Sequence, residues 1–310
     1  EKESMKSMQS LGFVSAILEE LDFDGVIDFA KTHDYDCVEM MCWPGNSDDN
    51  RRYAGCSHID VENMDVVAIK EKLTENEISI SGLGYYPNPM DEDKGKSEYY
   101  IEHIKKVIRG CNQLDVPVMN TFIGRNKSLN MDENLELFKK LWKPIIETAE
   151  IEGIKIGIEN CPMFFTNDEW PAGTNLAVSP AIWDRMFEIF PTSLFGLNYD
   201  PSHMVFQMMD EIQPLYEFRD RLHHVHLKDV NVDRERLDRV GILAKPSEFH
   251  TPKLPGLGQV RWPAFFKALK ITNYAGSVVV EVEDRAYEGS LSDVSKALNF
   301  TRDYIRPLMN

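Results

Sequence analysis

The sequence predicts an α/β fold, a single (β/α)8 TIM barrel spanning residues 1–310 as one domain. Three observations carry that prediction. Eight short β-type runs alternate with longer segments of helical period along the whole chain. Each long irregular connection follows one of those runs, as in barrels that gather their loops at one face. Polar residues recur with one parity at the ends of four successive runs, which points to a shared interior.

The runs are LGFVSAI (11–17), DCVEMM (36–41), ISISGLG (78–84), PVMNTFI (117–123), IKIGIEN (154–160), LFGLNYD (194–200), LHHVHLK (222–228) and SVVVEVE (277–283). Between them, ENLELFKKLWKPIIETAEIEG (133–153) and PAIWDRMFEIF (180–190) show helical periodicity. The second is expected to start with Ser179 capping the free N–H groups and Pro180 in the first turn. Such alternation means a mostly parallel sheet, and eight units imply closure, with an open doubly wound sheet as the alternative. No G-x-G-x-x-G follows the first run, which counts against a dinucleotide fold. The long connections, about 42–61, 85–95, 160–178 and 229–261, would sit at the C-terminal face. No Pro/Gly/Ser-rich linker divides the chain.

Strand parity locates a centre. In the fifth run Ile154, Ile156 and Ile158 oppose Lys155, Gly157 and Glu159. In the sixth, Phe195, Leu197 and Tyr199 oppose Gly196, Asn198 and Asp200. Val225 and Leu227 oppose His224, His226 and Lys228 in the seventh, and Val278, Val280 and Val282 oppose Val279, Glu281 and Glu283 in the eighth. The aliphatic set suits the helix layer, so the polar set points inward. Unpaired carboxylates there cost several kcal/mol each. Glu159, Asp200, His226 and Glu281 therefore need a cation. One divalent metal ion supplies it; the oxygen-rich set favours Mn, Mg or Co, while Zn usually prefers more His or Cys. Any one of these residues alone could equally cap a helix or pair with Lys or Arg.

Composition removes several function classes. Lys plus Arg number 34 and Asp plus Glu 51, a net charge of −17, so neither nucleic acid nor an anionic membrane is an expected partner. No stretch approaches the roughly 18 apolar residues of a membrane span. The first ten residues, EKESMKSMQS, hold no apolar signal region. The cysteines, Cys37, Cys42, Cys56, Cys111 and Cys161, are odd in number and lack a C-x-x-C spacing, which suits reduced thiols and a cytoplasmic location.

At IGIEN (156–160), GLNYDPSHM (196–204), HVHLKD (224–229), PGLGQVRWPAFFKAL (255–269) and VVVEVED (278–284) the sequence resembles the xylose isomerase-like barrels, in particular the sugar phosphate isomerase/epimerase group. The resemblance runs from LGFVSAI to the final helix. It places the family's metal ligands on the same Glu159, Asp200, His226 and Glu281, and a substrate-contacting His on His203. It implies a role in carbohydrate metabolism: a metal-dependent sugar isomerase or epimerase, commonly with manganese, moving a proton through a metal-bound enediolate with Glu159 and Glu281 as the acid/base pair. A small sugar or polyol is the implied substrate, and a homodimer or homotetramer the implied assembly. Free-ketohexose 3-epimerases follow the metal His with Gly-Glu and then an Arg, and the last Glu with Ser-Phe. Here Leu227-Lys228-Asp229 and Val282-Glu283-Asp284 look more like the group that includes inosose dehydratase and 3-keto-sugar enzymes.

Further candidates have bland counterparts. Lys228 either binds a substrate oxygen or donates a proton, or forms a salt bridge to Glu283 or Asp229. Glu39 either orients a substrate hydroxyl or His203, or pairs with a neighbouring strand-end group. His224 is expected to be a satisfied interior histidine. His250 lies in the seventh connection, which could close over substrate as a lid. Arg125 is one of few basic residues placed to meet a phosphate. Trp43 and the aromatics of GYYPNPM (84–90) could stack on a sugar, with loop packing the commoner outcome. Three other functions remain open: a keto-inositol or keto-sugar dehydratase on the same site, an abasic-site endonuclease, which the acidic surface disfavours, and a non-catalytic sugar-binding barrel.

Overall fold

The computed structural model describes residues 9–45, 56–164, 170 and 173–310. Each predicted run holds one strand of a closed, all-parallel barrel. They are β1 (Leu11–Val14), β2 (Cys37–Met41), β3 (Ser79–Gly84), β4 (Val118–Thr121), β5 (Lys155–Glu159), β6 (Phe195–Tyr199), β7 (Leu222–Leu227) and, after a two-stranded hairpin, β10 (Val278–Val280). Neighbours follow chain order, and β10 closes the ring between β7 and β1. The hairpin consists of β8 (Asp229–Val232) and β9 (His250–Lys253), paired antiparallel. Of the decapeptide read for a signal region, only Gln9 and Ser10 lie within the described residues. No helix among the described residues is long and apolar enough to cross a membrane.

The helices are α1 (Phe23–Thr32), α2 (Val66–Asn76), α3 (Lys94–Leu114), α4 (Met131–Glu152), α5 (Pro180–Ile189), α6 (Ser202–Val205), α7 (Gln213–Glu217), α8 (Arg234–Val240), α9 (Trp262–Ile271) and α10 (Leu291–Met309). Asp22, Asp65, Asp93 and Asn130 cap four of them, each accepting a backbone N–H from the first turn. The expected Ser179 cap does not form through its hydroxyl. Its carbonyl instead accepts from Ile182 and Trp183, and Pro180 brings no N–H that needs a partner.

The core lies between helices and barrel. Buried tryptophans on three helices brace the loops at the C-terminal face. Trp142 of α4 donates to Ile123 O at 3.0 Å, Trp183 of α5 to Ala177 O at 2.8 Å, and Trp262 of α9 to Asp229 Oδ2 at 2.8 Å. Inside the barrel, small residues leave room for a polar layer. A Cβ on Gly157 would strike the Asn120 amide oxygen and approach Asn198 to 3.2 Å.

Connection 229–261 is more ordered than expected. The buried Asp229 carboxylate accepts from Gly256, Gly258, Val260 and Val230 N–H groups as well as from Trp262. Five donors on one side chain fold the chain after β9 back onto the base of β8. That turns an apparent loop into a hairpin with α8 at its far end.

Candidate metal centre and active-site cavity

Register brings the four acid and imidazole residues together. β6 pairs Asn198 with the β7 residue His224 and Tyr199 with Val225, so Asp200 and His226 stand side by side one step further out. Glu159 ends β5. Glu281 follows the short β10, held level by its N–H donating to Leu227 O at 3.2 Å. One ligand-type atom from each of the four lies within 4.8 Å of the others.

Each of three side chains has one end anchored by a hydrogen bond and the other turned into the cluster. Glu159 Oε2 accepts from Cys161 N at 2.6 Å. Asp200 Oδ1 accepts from Ser202 N at 2.9 Å and Ser202 Oγ at 2.7 Å. His226 Nε2 lies 2.7 Å from the Glu39 carboxylate, which can only accept, so Nε2 carries a proton and Nδ1 is the atom that would meet a metal ion. The opposite atoms, Glu159 Oε1, Asp200 Oδ2 and His226 Nδ1, are buried without a hydrogen bond. His226 Nδ1 faces Glu281 Oε2 at 3.2 Å and Glu159 Oε1 at 3.9 Å. A lone pair on Nδ1 would repel these carboxylates unless a cation lies between, either a proton on the ring, which burial opposes and Glu39 and Glu281 favour, or a metal ion. An oxygen-rich set with one imidazole, anchored from behind, fits a divalent ion.

Glu39 is fully buried and pairs with His226, a neighbouring strand-end group, the second of the two roles the sequence allowed it. Tyr86 Oη donates to its Oε2 at 2.5 Å and Asn120 Nδ2 to its Oε1 at 3.2 Å. Burial alone would raise the Glu39 carboxyl, but His226, His224 and Tyr86 hold it below the ordinary carboxylate range. His224 is a satisfied interior residue between Asn198 Oδ1 and Ser81 Oγ, both at 2.9 Å, and burial keeps it neutral with a pKa of about 4.

Lys228 sits beside the centre. Its Nζ lies 3.1 Å from Asp200 Oδ2 and 3.4 Å from both Glu281 Oε2 and Glu283 Oε1, at contact with His203 Nε2 at 3.3 Å. The Asp229 alternative fails, since that carboxylate is consumed by the hairpin. Burial would strip the proton from Lys228, yet the three carboxylates hold it firmly charged. Burial and the adjacent Glu281 lift Glu283 to about 8 despite Lys228. His203 Nε2 lies 3.2 Å from Asp200 Oδ2 and 3.4 Å from Glu159 Oε1.

The centre opens into a cavity of about 110 Å³. Tyr86, Phe122 and Met163 form its apolar side, and Glu159, His203, His226, Lys228, Glu281 and Glu283 its polar side. Three sequence candidates lie outside it. Arg125 lines a separate cavity of about 350 Å³ with Phe164, Phe206 and Phe249, and its Nη1 donates to Gly173 O at 3.4 Å. Trp43 is buried edge-on to Tyr85 at 4.8 Å and takes the packing role. His250 stacks on Phe206 at 4.0 Å, beside the metal cavity rather than in it. Sequence reasoning offered Glu283 only as a partner of Lys228 and Tyr86 only as one of several loop aromatics that could stack on a sugar; it did not foresee the Tyr86 bond to Glu39. The inward parity of Glu283 with Glu281 was a usable signal; the reach of Tyr86 to Glu39 across strands was not.

Fold and centre together define a class: a (β/α)8 barrel with an acid-rich, metal-type site at its C-terminal mouth. The chain belongs to the xylose isomerase-like TIM barrel family, whose model matches residues 27–304. It is 31% identical to the inosose dehydratase of Geobacillus thermodenitrificans, with 86% of this chain and 88% of that one covered. Among solved structures it resembles the D-psicose 3-epimerase of Clostridium cellulolyticum H10 (TM-score 0.69, 15% identity, 97% and 99% of the two chains covered). It likewise resembles an IolI protein with a bound zinc atom (TM-score 0.70, 18% identity, 97% and 98% covered).

Proposed function

We propose that this protein is an enzyme that moves a proton on the carbon beside the carbonyl of a keto sugar or keto polyol, with one divalent metal ion held by Glu159, Asp200, His226 and Glu281. The observation that carries the reading is the pair Glu159 and Glu281, two carboxylates of one metal-type cluster that face the same cavity. A fold alone would not justify it, since barrels host many chemistries. The bound ion would supply Lewis-acid stabilisation of negative charge developing on the substrate oxygens.

The protein's own groups do the rest. One of Glu159 and Glu281 accepts the proton and the other returns it. The Cys161 N–H holds Glu159 by its second oxygen and so aims the first at the cavity. Lys228 keeps Glu281 ionised and at 3.4 Å. His203 offers a hydrogen bond to a substrate hydroxyl from the wall. Met41, Phe122 and Met163 exclude water from the reacting carbon.

Returning the proton from the other face gives epimerisation, and returning it to the neighbouring carbon gives aldose–ketose isomerisation. A second reading, loss of water, is favoured by the similarity to an inosose dehydratase and by Glu283, a protonated carboxyl at the same cavity able to protonate a departing hydroxyl. Incubating manganese-loaded protein with ketohexoses and inososes in deuterated water tests both. Deuterium in a rearranged sugar means isomerase or epimerase, and a dehydrated product means lyase. No deuterium uptake and no water loss with any of them would refute the proposal.

A further inference from the structure

The metal cavity does not end at the metal. A second compartment of about 190 Å³ adjoins it, and the two share Cys161, Met163, His203, Lys228 and Glu283 as a common wall. The metal cavity alone, about 110 Å³, is far below the roughly 300 Å³ at which small-molecule sites begin; joined to its annex it reaches that size. The annex is therefore the larger share of the space available to a ligand that touches the centre.

Its chemistry is specific. One wall is aromatic and apolar: His250 stacked on Phe206 with their planes 6° apart, Phe164, and Pro252 of the hairpin. Such flat faces suit the C–H surface of a sugar ring. His250 also presents one defined polar atom. Its Nδ1–H donates to Pro246 O at 2.5 Å, which leaves Nε2 as a hydrogen-bond acceptor. Burial holds the ring neutral, with a pKa of about 4. Ser247 adds a hydroxyl. Among the described residues no arginine lines the annex, and the one lysine there, Lys228, is already committed to Asp200, Glu281 and Glu283.

We propose that the substrate is a keto sugar or keto polyol joined to a second, uncharged, hydroxylated ring, which occupies the annex against His250 and Phe206. The inference rests on the metal-dependent reading above and narrows its substrate class: a glycoside-like molecule, not a free monosaccharide and not a sugar phosphate.

Calorimetry on the manganese-loaded protein tests it with three probes: sorbitol, sorbitol 6-phosphate, and maltitol, which is sorbitol bearing one glucosyl ring. Maltitol should bind at least tenfold more tightly than sorbitol, and the phosphate no more tightly than sorbitol. In His250→Ala the maltitol-to-sorbitol affinity ratio should fall at least fivefold. Ser247→Trp, which fills the annex from an exposed position, should lower the same ratio and covers the case in which His250→Ala fails to fold. Equal affinities for sorbitol and maltitol, a ratio unchanged in both variants, or tighter binding of the phosphate would overturn the inference while leaving the metal reading standing. If no polyol binds with the metal present, the metal reading falls and the inference falls with it.

Discussion

Glu39 Oε1 lies 2.7 Å from His226 Nε2, a fully buried carboxylate directly behind the imidazole of the metal-type centre. It fixes which ring nitrogen carries the proton and turns the other toward Glu159 and Glu281. Glu39→Gln keeps the shape but removes the charge that makes the imidazole basic. Manganese affinity should fall about 10- to 100-fold, read by competition with a fluorescent chelator. Unchanged affinity would mean that Glu39 only fills space.

Metal binding should also appear as stability. An ion at a hundred times its dissociation constant adds about 2.7 kcal/mol to a folded state that binds it alone. Manganese or cobalt should therefore raise Tm by a few degrees in scanning fluorimetry, EDTA should reverse the gain, and Asp200→Asn should abolish it.

Asp229 has no place in the chemistry, yet it should be among the least tolerant residues. Its carboxylate collects four backbone N–H groups and the Trp262 indole, and an amide in its place would set an NH₂ group against those donors. Asp229→Asn should cost about 2–3 kcal/mol in urea unfolding. It should lower turnover as well, since it loosens the strand carrying Lys228.

Away from the centre, burial and the nearby Lys155 and Arg221 pull His223 from an ordinary 6.5 down to about 4, while its Nε2 is bonded to Ser193 O. Between those values the unfolded chain takes up a proton that the folded one refuses, so stability falls as pH drops from about 6.5 toward 4. At pH 5 this one group accounts for about 2 kcal/mol. His223→Gln should flatten the corresponding part of the pH–stability curve, and an unaltered curve would contradict the assignment.

Much of this was legible because strand parity is local. Two-residue alternation places Glu159, Asp200, His226 and Glu281 inward without knowledge of which strands adjoin, and closure then brings their ends together. What escaped depends on long-range register or on loop geometry. Tyr86 reaches Glu39 across 47 positions and Ser81 meets His224 across 143, and neither pairing leaves a trace in residue spacing. The hairpin within 229–261 is organised by Asp229, three of whose donors, Gly256, Gly258 and Val260, lie in irregular chain with no periodicity to read. Arg125 follows β4 as expected, but the chain after the strand carries it into the neighbouring cavity.

The central claim is that four strand-end residues hold one divalent ion. Crystals of the protein soaked in manganese chloride, with data collected on the low- and high-energy sides of the manganese absorption edge, test it most directly. The account predicts one strong anomalous peak in contact with Glu159, Asp200, His226 and Glu281, lost in crystals of His226→Ala. A peak elsewhere, or none at this centre under saturating manganese, would contradict it.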